Sequence, residues 1–146
     1  MQSVQRSVLV NYSAEQMYAL VDDVERYCEF LPWCGGSKVL ETRPDGKTAR
    51  IDINYHGVKA HFTTDNVNRP PESIAVALKD GPFRHLDGLW TFRALAPNAC
   101  KVEFTLSYEF KTHVLETIVG PVFNKIAVSF IDAFVRRAEA KYGAPA

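Results

Sequence analysis

From His113 to Tyr142, apolar side chains recur every three or four residues. Leu115, Val119, Val122, Phe123, Ile126, Ala127, Phe130, Phe134 and Ala138 therefore fall on one face of a helix. Beyond Pro121, the residues Lys125, Ser129, Asp132 and Arg136 repeat at the same spacing on the opposite face. They predict a wet stripe in which Asp132 and Arg136 are placed to pair. Some thirty residues of helix span about 45 Å. A helix of that length with three Phe on its dry side needs a large partner surface. Pro121 follows Gly120 and has no backbone donor, so the pattern predicts a kink there, or a break with a fresh start at Pro121.

The rest of the chain reads as that partner. Val4 to Val10 is a short β-branched strand. Asn11 to Met17 is a helix entry, with Ser13 and Gln16 spaced for a capping box and Tyr12 and Met17 at the staple positions around it. That helix carries Met17, Leu20 and Val21 inward and ends near Asp22-Asp23. A second short helix is expected from Val24 to about Phe30. Leu31-Pro32-Trp33-Cys34-Gly35-Gly36 then predicts an apolar loop, either a plug over the core or a lid.

Six strands follow at turn-bounded intervals. They cover Ser37–Thr42, Thr48–Tyr55, Val58–Val67, a run around Ile74, Val76 and Leu78, Phe83–Leu95, and Cys100–Phe110. Arg43-Pro44-Asp45-Gly46 and His56-Gly57 supply turn chemistry between them. Ala49, Ile51, Ile53 and Tyr55 share one face of their strand, as Val58, Ala60 and Phe62 do of the next. Leu86, Trp90 and Phe92 lie on one side of the fifth, where Gly88 predicts a bulge or sharp bend. The last strand alternates most regularly. Cys100, Val102, Phe104, Leu106, Tyr108 and Phe110 should face the long helix, and Lys101, Glu103 and Glu109 should face water.

The order is therefore strand, two short helices, six strands, long helix. It predicts an α+β fold in which an antiparallel meander grips the C-terminal helix. No linker or repeat interrupts residues 1–146, so a single domain is expected. A bent sheet around one helix does not close tightly at both ends. Tyr55, Phe62, Trp90, Phe92 and Phe104, with Phe123, Ala127 and Phe130 of the helix, would bound either a filled core or a ligand cavity. Trp90 is the expected wall and Trp33 the expected gate.

Charge excludes some partners. Seventeen basic and seventeen acidic residues cancel, so no global field draws in DNA or anionic lipid. No apolar run approaches a membrane span. Met1 to Arg6 lacks a signal-peptide core, so a cytoplasmic location is expected. Three cysteines, Cys28, Cys34 and Cys100, with no Cys-x-x-Cys indicate neither a disulfide framework nor a zinc site, and are expected as buried thiols. The four histidines lie in turns or on polar faces without metal-ligand spacing. No nucleophile elbow, phosphate loop or dinucleotide fingerprint occurs. With no catalytic or metal constellation and no cofactor motif, the residues point to binding an apolar molecule or another macromolecule.

Several stretches carry a resemblance. Asn11 to Val24, Tyr27 with Phe30-Leu31-Pro32, Phe62-Thr63-Thr64, Asp80-Gly81-Pro82-Phe83, Leu89 to Phe92, Phe104 to Phe110, Val122-Phe123 and Ala133 to Ala138 resemble the START-like, polyketide-cyclase-like family. That family includes coenzyme-Q-binding proteins and the ribosome association toxins of the RatA branch, which this chain resembles most. The resemblance implies a helix-grip fold, a seven-stranded antiparallel sheet around the C-terminal helix with an apolar cavity. It also implies either of two partners. One is a polyprenyl quinone such as ubiquinone, or a similar lipid, bound in support of respiration. The other is the large ribosomal subunit, whose joining would be blocked. The wider superfamily also holds polyketide cyclases and aromatases, for which no inward acid–base groups are seen here.

Overall fold

The computed structural model describes residues 1–143; residues 144–146, which the expected domain included, lie outside the described residues. Strand β1 (Gln2–Val10) leads into helix α1 (Ala14–Asp22) and a 3-10 turn (Val24–Glu29). Then come β2 (Cys34–Arg43), β3 (Gly46–Tyr55), β4 (Val58–Arg69), β5 (Ser73–Asp80), β6 (Phe83–Ala96), β7 (Ala99–Phe110) and helix α2 (His113–Tyr142). All strand pairs are antiparallel, in the order β1-β7-β6-β5-β4-β3-β2. This is the seven-stranded helix-grip arrangement that the element order predicts.

Local chemistry accounts for the joints. Ser13 Oγ accepts from Gln16 N while Gln16 Oε1 accepts from Ser13 N, which satisfies two free amides at the start of α1. The β3–β4 hairpin turns on two residues, His56 (φ 49°) and Gly57 (φ 82°), the left-handed pair a tight hairpin requires. Along β7 the even-numbered residues from Cys100 to Phe110 are buried and the odd ones half-buried. The register expected there is the register found. The two ends of the chain's helices are tied together, since Tyr12 Oη donates to Gly143 O at 2.8 Å and Tyr142 Oη to Gln16 O at 3.2 Å.

Several expectations are corrected. The helix is not broken at Pro121; α2 runs as one element from His113 to Tyr142, and Thr112 caps it by accepting from Leu115 N. Asp132 and Arg136 are both exposed and form no ion pair, since water screens such a pair and little is gained by ordering it. Arg137 takes that role instead, bonding Glu29 and lying 5.1 Å over the Phe30 ring. Gly35 and Gly36 are strand rather than loop. Added Cβ atoms would come within 3.1 Å of Asn54 and 2.9 Å of Asp52, so glycine lets β2 close on β3. Gly88 makes no bulge: it pairs in register with Val76 and Leu106, and its place reflects a crowded site, where an added Cβ would lie 3.1 Å from Leu106 Cδ1 and Thr105 O. The register of β6 shifts instead between Phe83 and His85.

The cysteines and the long helix also depart from expectation. Cys28 and Cys34 form a disulfide, because the 3-10 turn folds their Cα atoms to within 4.9 Å; only Cys100 is a buried thiol. Among the described residues, one stretch is, by length and composition, apolar enough to span a membrane, and it is α2. Its first turns are apolar outside as well as inside, with Val114 and Ile118 exposed to solvent.

Candidate functional site

Between the inner face of the sheet and α2 lies a cavity of about 70 Å³. Its walls come from four parts of the chain. The 3-10 turn brings Val24 and Tyr27, and the chain entering β2 brings Trp33. The meander contributes Ala49, Ile51, Phe62, Thr64, Asn66 and Val76, then Leu86, Trp90, Phe104 and Leu106. The helix closes it with Phe123, Ile126, Ala127 and Phe130.

Seven of the nine residues singled out in the sequence meet here: Trp33, Phe62, Trp90, Phe104, Phe123, Ala127 and Phe130. Two do not. Tyr55 sits half-buried at the end of β3, outside the cavity wall, with His56 at 4.1 Å and Lys125 at 5.9 Å from its ring. Strand β3 ends there, so the ring falls at the rim. Phe92 is buried but packs edge-on against Tyr18 of α1 at 5.5 Å, because its end of β6 runs under α1 rather than α2.

The aromatic walls are in mutual contact. Trp90 stacks on Phe104 at 4.4 Å, and Phe130 meets Trp33 at 5.8 Å, Phe104 at 5.7 Å and Trp90 at 5.9 Å. Trp33 is 6 % exposed, so the residue expected as a gate stands closed against Phe130. Tyr27 is buried, and its hydroxyl donates to Val21 O. Burial, with a smaller contribution from Asp22 and Asp23, keeps that hydroxyl protonated far above the ordinary phenol range.

Thr64 and Asn66 escaped the sequence reading. The alternation that puts Phe62 inside also puts Thr64, Asn66 and Asn68 inside, and that parity was the available signal. Thr64 Oγ1 donates to Asn66 Oδ1 at 2.9 Å. Farther along, Asn68 Nδ2 donates to Tyr18 Oη at 2.8 Å and to Asp22 Oδ1 at 2.6 Å, while Lys47 Nζ reaches Asp22 Oδ1 at 2.9 Å. The inner face of β4 thus grades from aromatic through neutral polar to an ion-paired end. Phe83 was also missed; the register shift after it places Phe83 and Leu86 on the same inner side.

Among the described residues, no Asp, Glu, Lys, Arg or His lines the cavity. Proton transfer needs a titratable group within reach of the reacting atom, and only the engaged Tyr27 hydroxyl is present. The site supplies apolar area, stacking faces and one neutral polar pair.

Similarity to known proteins was found at three levels. Residues 10–135 match the family described as polyketide cyclase / dehydrase and lipid transport. The ribosome association toxin RatA of Vibrio cholerae is 47% identical over 98% of this chain and 99% of its own length. The mitochondrial coenzyme Q-binding protein COQ10 homolog B of Xenopus laevis is 29% identical over 94% of this chain and 58% of its own. Among solved structures, the ZhuI aromatase/cyclase of Streptomyces sp. R1128 superposes with a TM-score of 0.79 at 19% identity, over 97% of this chain and 95% of that one; this likeness concerns the fold.

Proposed function

The chain belongs to the polyketide cyclase / dehydrase and lipid transport family, and on that premise we propose that it works by binding rather than catalysis, as a RatA-type protein of the large ribosomal subunit. The observation that carries this reading is the end-to-end match at 47% identity to a relative named for ribosome association, with 99% of that relative covered. Such a role asks for a surface rather than a reaction centre, and the cavity's lack of charged groups agrees with it. The whole length then acts as one START-like domain in the cytoplasm.

Sedimentation tests this. Purified protein mixed with large subunits should travel with them through a sucrose gradient and reduce the yield of joined ribosomes. Protein that stays at the top of the gradient at micromolar concentration overturns the reading. Arg136→Glu is the fitting surface probe, because Arg137 is engaged with Glu29 and Phe30 while Arg136 stands exposed.

A second reading is favoured by the uncharged, aromatic cavity together with the relatives named coenzyme Q-binding. In it the cavity holds a neutral lipid such as a prenylated quinone. The space of about 70 Å³ is well below the roughly 300–1,000 Å³ of ligand pockets. Entry therefore requires Phe130 and Trp33 to part. Ala127→Leu, which fills the space, should abolish lipid retention and leave subunit binding unchanged.

A further inference from the structure

Resting on the lipid-binding reading, we infer that Asn66, oriented by Thr64, is the polar anchor of the cavity and takes a carbonyl oxygen on the leading end of an uncharged ring-bearing ligand. Asn66 is 9% exposed and Thr64 4%. The Thr64 hydroxyl occupies Asn66 Oδ1, which fixes the amide so that its Nδ2 donor is the free side. No described residue accepts from Nδ2, whereas the neighbouring Asn68 gives its own to Tyr18 and Asp22. The buried side-chain polar atom left without a partner among the described residues is Asn68 Oδ1, so Asn66 Nδ2 keeps accessible surface in the residue's place on the cavity wall. A ligand oxygen that enters the cavity can therefore accept from it.

The surroundings select the class of oxygen. A fatty-acid carboxylate or a phosphate buried here would meet no cation, since none lines the walls. A neutral carbonyl on a flat ring meets Asn66 at its edge and the faces of Trp90, Phe104 and Phe130 on its sides. The ligand class is thus a quinone or cyclic ketone with an apolar tail, not an acid.

Equilibrium dialysis with three probes tests the anchor: a decyl-tailed benzoquinone, the matching decyl-tailed dimethoxybenzene without carbonyls, and palmitate. Wild type should retain the quinone about tenfold more tightly than the carbonyl-free analogue, the effect of one net hydrogen bond, and palmitate least. Asn66→Leu should lose that preference while keeping the analogue's affinity. Should Asn66→Leu fail to fold, Asn66→Asp keeps the shape and replaces the donor with an acceptor, and should lose the preference too. Thr64→Val should lose part of it. A variant at Asn66 that melts like wild type and still prefers the quinone overturns the anchor. So does palmitate bound as tightly as the quinone. Wild type that binds quinone and analogue equally sinks the anchor alone; wild type that binds neither removes the lipid reading with it.

Discussion

Phe134 and Phe130 lie one turn apart on the same face of α2. Phe134 has no exposed surface and meets Tyr27 at 5.4 Å, Phe30 at 5.2 Å and Trp90 at 5.3 Å. Phe130 is half-buried and borders the cavity. The difference comes from the partners each ring meets and from the helix residue beside it. Behind Phe134 the 3-10 turn folds down and fills the grip. Ahead of it, at Ala127, the helix offers only a methyl group and the sheet does not close the gap. One stretch of identical periodicity thus contains a packed block and a hollow, and area alone does not tell them apart.

Urea unfolding should separate the two. Phe134→Ala should cost about 3–5 kcal/mol, the cost of emptying a filled site. Phe130→Ala should cost roughly half that or less, because part of its ring already faces a void. Equal losses would mean that the hollow is closed in solution. A third variant calibrates the scale outside both regions: Ser13→Ala removes the capping box of α1 and should cost about 1 kcal/mol.

Alkaline titration extends the comparison to Cys100, buried at the α1 side of the sheet. Burial, and to a lesser degree Glu15, pushes its thiol up from 9.0 to about 11. Between those values the unfolded chain has lost the proton and the folded one retains it, so stability falls as pH rises. Cys100→Ala should flatten the part of the decline that begins near pH 9, and an unchanged slope would assign that decline to the tyrosines alone. The smallest expected effect lies on the outward face of α2. Val114→Lys and Ile118→Lys should shift stability by less than about 0.5 kcal/mol. A larger loss would show that this exposed face is covered in the native protein.

Much of this was legible beforehand. The alternation of β7, the buried face of α2, the Ser13 cap and the His56-Gly57 turn all follow from periods of 2 and 3.6 or from single-residue backbone preferences. What stayed hidden depends on register and on distant partners. A shift at Phe83 reverses parity and no composition announces it. The Cys28–Cys34 bond needs the intervening turn to fold back. Thr64 and Asn66 look like surface residues until parity is carried on from Phe62. The cavity itself depends on how far the sheet bends, and that follows from many small packing choices at once.

The sheet order also sets a schedule for synthesis. Strand β1 pairs only with β7, Val10 opposite Cys100 and Gln2 opposite Tyr108. At 5–20 residues per second, the nascent first strand waits about 5–20 s for its partner. Meanwhile β2 to β6 are already able to join as hairpins. Val4, Val8 and Val10 are exposed apolar edge throughout that interval, so a chain stalled before Cys100 presents an unfinished sheet with an unpaired first strand.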